Sequence, residues 1–430
     1  MNGLATAARA LRAAAPHRLP GTLHTVLRAG YAAERTDLRL ADYGQTALLS
    51  VAPDGRGARS RRSLPLHGSA PGRAFGAQEP FVEELDGGRV LAHLPVTVRG
   101  DRLGVLSVTL PGAGLGDGGL AELAALARLL GHEIVVAERD TDVYRQARRT
   151  ERLTLAAEMQ WQLLPARSCT GDGYALGAQL EPAYAVFGDN FDWAATADRL
   201  TVYVTGGMGE GIEASLLTGL GVNALRHARR AGAPIAEQAA LAGRAVHAHY
   251  GGEAHLSVLL VDLDTATGRM RVVDAGSAQL LLVRDRVPAR ITFDALPPLG
   301  LAGEADYTAR EFTLLPGDRL LLVSDGVHAA ASPGGEIYGE QALARAVTSA
   351  ALLPAADVPA AVLRELAGHR GGSEPDDDAL VVCLDWSGRR PRSSSGGPGT
   401  DLSPGDGHST VPSPPSGPQR HDEDQDADEE

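Results

Sequence analysis

Three patterns predict a protein of the α+β class. In the second half, short β-branched or leucine-rich runs alternate with segments whose apolar residues recur at three and four. In the first half, strand-like runs lie between helical segments at either end. A hydrophobic content of 43% supplies packed cores, although only 4% of the chain is aromatic. Propensity and periodicity reach mixed helix and sheet and no further.

At 430 residues, the length predicts about three domains of ~150 residues. Residues 1–138 read as the first. Leu4, Ala7, Leu11 and Ala14 suit an opening helix. Strand candidates follow at 38–40, 47–51, 90–96 and 103–110, with turn signals such as Pro53-Asp54-Gly55 and Arg99-Gly100-Asp101 between them. Leu123, Leu126, Leu130, Ile134 and Ala137 then form one apolar helical stripe.

Residues 139–168 read as a helical connector. The stretch 138–152 is polar nearly all round, with Tyr144 and Ala147 as its few apolar positions. A polar helix between domains bridges solvent or pairs in a dimeric coil, and a homodimer is expected here. Leu153, Ala157, Gln160, Trp161 and Leu164 resume the three/four spacing up to Pro165.

Residues 169–386 supply the alternating pattern. Strands are expected at 199–205, 255–263, 270–273, 280–283, 320–323 and 379–384, and helices at 213–230, 339–350 and 356–368. The tail, 387–430, is rich in Ser, Gly and Pro and then acidic, which predicts disorder.

Composition excludes several chemistries. Net charge is −14, so nucleic acid is not an expected partner. Every one of the 40 Lys+Arg cations is Arg. A phosphate-loop ATPase, a protein kinase or a Schiff-base enzyme needs a lysine. The two cysteines, Cys169 and Cys383, form no Cys-x-x-Cys and read as buried thiols. No apolar run approaches the ~20 residues of a membrane span, and Met1–Pro20 lacks a signal-peptide core. The expected location is cytoplasmic, with no membrane partner.

Four ordered motifs concentrate chemistry in the third region. They are Gly188-Asp189-Asn190-Phe191-Asp192, Gly206-Gly207-Met208-Gly209-Glu210-Gly211, Ser324-Asp325-Gly326-Val327 and Asp376-Asp377-Asp378-Ala379-Leu380. The last three abut strand-like runs, so carboxylates fall at strand ends, where several can converge on one hard cation. One Asp-Gly is a turn more often than a ligand; four motifs in order are hard to explain as turns.

With Leu163-Leu164-Pro165, Ala275-Gly276-Ser277 and Pro298-Leu299-Gly300, these motifs resemble the type-2C metal-dependent protein serine/threonine phosphatases. The resemblance is to their bacterial regulatory branch, the stage II sporulation protein E and sigma-B-regulator phosphatases. It implies an α-β-β-α sandwich, and a GAF-like α/β sensory domain is suggested before it by Pro65-Leu66-His67-Gly68-Ser69 and Gly72-Arg73-Ala74-Phe75.

The resemblance further implies Mn²⁺ or Mg²⁺ as cofactor. Asp325 and Asp376 would hold one ion; Asp189 and the Gly207 carbonyl would serve a second. The family's bridging Asp falls on Gly206, and its usual His on Ser277. One tight site is therefore expected, with Glu210 as a possible substitute ligand. The expected partners are a phosphoprotein substrate, in the family an anti-sigma-factor antagonist, and an unknown small ligand at the GAF-like domain. His247, His249 and His255 invite a transition-metal reading, although His is common at helix ends. Asp192 and Asp378 are expected to be hydrogen-bonded or exposed acids, and Arg229 and Arg230 exposed helix charges.

Overall fold

A computed structural model describes residues 3–52, 63–115, 118–150, 152–181, 187–276, 278–371 and 375–388. The expected turn at Pro53-Asp54-Gly55, Ser277 and the tail beyond 388 lie outside the described residues.

The N-terminal part contains α1 (Gly3–Ala13), α2 (Leu19–Tyr31), β1 (Arg35–Ala41), β2 (Ala47–Ser50), β3 (Ser63–Pro65), α3 (Ala70–Ala77), β4 (Phe81–Leu85), β5 (Arg89–Val98), β6 (Asp101–Pro111) and α4 (Gly119–Ala137). Among the described residues the strands form an antiparallel six-stranded sheet in the order β3-β2-β1-β6-β5-β4. Alternation along each strand separates two faces. Leu38, Leu40, Leu94, Val96, Leu106 and Val108 pack against α1, α2 and α4, while Leu48 and Val105 face Phe75 of α3.

The connector differs from the single polar helix that its sequence predicts. It holds two short helices, α5 (Val143–Ala147) and α6 (Leu155–Leu163). Tyr144 and Ala147 are buried in the N-terminal core, and the Tyr144 hydroxyl donates to the Pro16 carbonyl at 2.6 Å. The apolar positions that looked sparse are thus anchors, and α5 bridges no solvent. Thr154 starts α6, its hydroxyl accepting from the Ala157 amide at 3.1 Å. Thr154→Ala should cost about 1 kcal/mol of stability in urea titrations.

The C-terminal part contains β7 (Ser168–Gly171), β8 (Tyr174–Glu181), β9 (Asp189–Ala195), β10 (Arg199–Gly207), α7 (Gly211–Arg230), α8 (Ile235–Tyr250), β11 (Leu256–Asp264) and β12 (Arg269–Ala275). It continues with β13 (Gln279–Arg284), β14 (Val287–Ile291), β15 (Arg310–Thr313), β16 (Asp318–Val323), α9 (Asp325–His328), α10 (Gly339–Ser349), α11 (Val358–His369) and β17 (Ala379–Trp386). Among the described residues, one sheet runs β15-β12-β11-β10-β9 and the other β14-β13-β16-β17-β8-β7.

The sheets face each other across Leu180, Phe191, Val202, Leu259, Leu320 and Val382. Tyr203, Leu260 and Val273 point outward from the first sheet beneath α7 and α8, burying Leu225 and Ala239. Leu321, Val381 and Cys383 point outward from the second beneath α10 and α11, burying Leu343 and Leu363. This is the expected α-β-β-α sandwich. Both cysteines are buried and free. No helix among the described residues is long and apolar enough to cross a membrane.

The two parts meet at a polar and aromatic joint. Arg167 lies over the Trp161 ring at 4.9 Å and donates to the Tyr43 carbonyl, while the Tyr43 and Trp161 rings sit 4.7 Å apart. The Arg167 amide donates to Asp101 at 3.2 Å, the Ser168 hydroxyl to the Gly100 carbonyl at 2.8 Å, and Arg102 forms a two-point ion pair with Asp357.

Candidate active site

The second and third motifs end strands, and the first and fourth begin them. Asp189 opens β9, Gly206 and Gly207 close β10, Asp325 follows β16, and Asp378 immediately precedes β17. Antiparallel pairing sets Asp189 opposite Gly206, so the first two motifs meet at one sheet corner. The Asp189 amide donates to Asp378 Oδ2 at 3.1 Å, joining that corner to the second sheet. The Ser324 amide donates to the Leu380 carbonyl at 3.0 Å and the Ser324 hydroxyl to the Asp378 carbonyl at 3.2 Å, which brings in the third motif.

Glycines make this approach possible. Gly188 has φ +104, and a Cβ there would lie 2.3 Å from the Gly207 carbonyl oxygen. The Gly207 amide donates to the Gly188 carbonyl at 2.9 Å, and the Thr218 hydroxyl donates to the same oxygen at 2.7 Å. Gly206 has no such constraint. It lies in β10 with φ outside the left-handed region, and a Cβ there would meet only Asp189 Oδ1, at 3.0 Å, and Ser257 Cβ, at 3.8 Å.

The result is a buried acidic cluster. Asp189 is 4% exposed and Asp378 is fully buried. Burial raises the Asp189 carboxyl well above the ordinary range, and the charges of Asp378, Asp325 and Asp377 raise it further; hydrogen bonding by Ser324 opposes them. Burial raises Asp378 to about 7, against donors from the Phe187 and Asp189 amides and Gln160, and Asp377 adds to the rise. Asp377 is raised by burial first and by Asp325 second.

Asp189 Oδ2 and Asp378 Oδ1 are buried without a hydrogen-bond partner among the described residues. Buried carboxylate oxygens that lack donors suit a cation, and an all-oxygen donor set suits a hard divalent one. The residues fit such an ion in kind. Among the described residues, however, no three His, Cys, Asp or Glu side chains are arranged as a finished metal site.

The structure separates the remaining candidates. Asp376 is exposed, one residue from the half-buried Asp377 and two from the buried Asp378. Glu210 is exposed at the entry to α7, flanked by Gly209 at φ +95 and Gly211 at φ +65. Asp192 is buried in an ion cluster, 2.7 Å from Arg226 and 2.9 Å from Arg229. Arg229 is therefore not the exposed charge that its place near a helix end suggested; it lies 5.0 Å over the Tyr203 ring. His247 Nδ1 is 3.0 Å from the Gly300 carbonyl, and the His249 ring packs edge-on against Tyr250.

Gln160 of α6 is a site residue that sequence reasoning missed. Its amide donates to the Asp189 carbonyl at 2.8 Å and to Asp378 Oδ2 at 3.2 Å. The neighbouring Trp161 belongs to the joint with the N-terminal part. A polar residue on an otherwise apolar helical stripe was the available signal.

Residues 196–387 match the family model described as Stage II sporulation protein E (SpoIIE). That part of the chain is similar to the family the model describes. Among curated relatives, Protein IcfG of Synechocystis sp. is 25% identical over 122 residues, which span 28% of this chain and 19% of that protein. The RsbU and RsbW domains of Rv1364c from Mycobacterium tuberculosis are 24% identical, covering 51% of this chain and 62% of that one at a TM-score of 0.44. The SiaA-PP2C domain of Pseudomonas aeruginosa is 21% identical, covering 54% and 94% at 0.46. The second, third and fourth motifs fall within the matched residues, and the first, Gly188 to Asp192, lies just before them.

Proposed function

We propose that the chain is a metal-dependent protein serine/threonine phosphatase under the control of its N-terminal domain, read as a GAF-like sensor. Its substrate class is a phosphoserine or phosphothreonine protein, with an anti-sigma-factor antagonist as the family's precedent. The observation that carries this reading is the buried acidic cluster beside the region that matches the SpoIIE model, in which Asp189 Oδ2 lacks a hydrogen-bond donor among the described residues.

Mn²⁺ or Mg²⁺ would be held by Asp325 with Asp376, and by Asp189 with the Gly207 carbonyl. Bound there, such an ion would acidify a water and clamp phosphoryl oxygens. The chain's own residues position the ligands. Gln160 and the Phe187 amide fix Asp378, whose Oδ2 in turn receives the Asp189 amide. Arg370 donates to the Gly326 carbonyl at 2.7 Å and so holds the turn that follows Asp325. Burial keeps bulk water from Asp189 and strengthens its response to charge.

A second reading, a catalytically impaired homologue that binds a phosphoprotein or anti-sigma partner, is favoured by Gly206, which offers no carboxylate opposite Asp189. Calorimetric titration of the full chain with Mn²⁺, beside phosphate release from a phosphoserine peptide, separates the two. The phosphatase reading expects one tight ion and slow, Mn²⁺-dependent release, both lost in Asp325→Asn/Asp376→Asn. Unaltered ion binding in that double variant would remove these carboxylates from the site.

A further inference from the structure

We propose that the cleft between the N-terminal part and the C-terminal sandwich is a binding site for a small organic anion with an apolar body. The cleft holds a cavity of about 380 Å³, within the roughly 300–1,000 Å³ of small-molecule sites, which favour domain boundaries. Pro80, Pro95 and Ala124 line it from one side and Leu176, Pro354 and Ala356 from the other. Proline and alanine are short and stiff, so these walls cannot collapse into the space, and an unfilled apolar cavity forfeits packing contacts.

Charge selects the occupant. Among the described residues, the charged side chains that line the cavity are both arginines, Arg102 and Arg128. In a chain of net charge −14, such a lining favours an anion. Arg102 is already committed to Asp357 at two points. Arg128 is exposed on α4 and makes no hydrogen bond or ion pair among the described residues. The geometry thus sets the anionic group at Arg128 and the apolar body between the proline- and alanine-rich walls. Thr97 and Thr170 also line the cavity; the Thr97 hydroxyl already donates to Gln78, which leaves Thr170 as the neutral donor.

The test uses 8-anilinonaphthalene-1-sulfonate, an aromatic sulfonate, and its uncharged relative N-phenyl-1-naphthylamine, with the full-length chain. The sulfonate should show one saturable site per chain in fluorescence titration. Arg128→Gln should weaken it about tenfold, the loss of one charge-assisted contact, and should leave the uncharged probe unaffected. Ala356→Trp, which fills the cavity, should abolish binding of both probes; circular dichroism melts confirm that each variant is folded. Sulfonate binding that never saturates, or that survives Arg128→Gln undiminished, overturns the proposal. Binding seated instead on exposed Met208, Ile212 and Leu216 would show itself in that second way.

Discussion

Gly206→Asp should raise Mn²⁺-dependent phosphate release on the order of 10²-fold or more, the scale expected when a misplaced nucleophile is brought into register. The backbone permits the change. Gly206 sits in β10 with φ outside the left-handed region, so an Asp there carries no conformational penalty of the kind Gly188 would suffer. Its Cβ would contact the end of the Asp189 side chain at 3.0 Å, so that carboxylate must give by a few tenths of an ångström. Without metal the same change adds a carboxylate to a group already raised by burial and by Asp378. The variant should therefore melt below wild type in chelator and recover with Mn²⁺, because a ligand that binds only the folded state stabilises it. Melting curves with and without Mn²⁺ read this independently of turnover. A variant whose melting ignores Mn²⁺ and whose rate equals wild type would show that position 206 does not bear on the site.

Asp378→Asn should stabilise the metal-free protein at pH 8 while changing little at pH 4. The folded-state pKa of Asp378 is raised to about 7 from an ordinary 3.8. Between these values the folded protein binds a proton that the unfolded chain releases, so stability falls as pH rises. The contribution is complete below about pH 4 and gone above about pH 7. Asp189, raised in the same direction, adds to the slope. The loss is on the order of a few kcal/mol. Asparagine imitates the protonated acid: its carbonyl oxygen can keep the Phe187, Asp189 and Gln160 donors on Oδ2, at 2.9, 3.1 and 3.2 Å. Urea titrations in chelator at pH 4, 6 and 8 measure it. A flat wild-type profile, or a variant weaker than wild type at pH 8, would contradict the buried ionisation.

How far the sequence showed these features depends on the contrast each element carries. β10 and α7 are legible because 200–204 is largely apolar and α7 repeats leucine and valine; of Leu216, Leu220, Val222 and Leu225, whose spacing suggested the inner face, Leu216 is exposed and Leu217 is buried in its place. α8 was legible only at its end, through His247 and His249, because its buried face mixes Gln238, Ala239, Ala242 and Gly243 with just Ile235 and Val246 and so carries little contrast. β3 and β15 are three and four residues long, too short for alternation to register. At the site, Asp189, Asp325, Gly206 and Gly207 were visible as motif letters. The run Asp376-Asp377-Asp378 was visible too, but identical letters cannot reveal that exposure falls from the first to the last. Gln160 was hidden for the opposite reason, since its position on the apolar stripe made it look like one more packing residue.

The contrast between Gly206 and Gly207 bears on how this site could change over generations. At position 207 a side chain is barred, because a Cβ would fall 2.3 Å from the Thr218 hydroxyl oxygen. At position 206 no backbone atom stands within 4 Å of where a Cβ would lie, apart from its chain neighbours. Glycine and aspartate codons can differ by a single base. Where the Gly206 codon ends in a pyrimidine, one base change supplies an aspartate, with no accompanying repair of the backbone required.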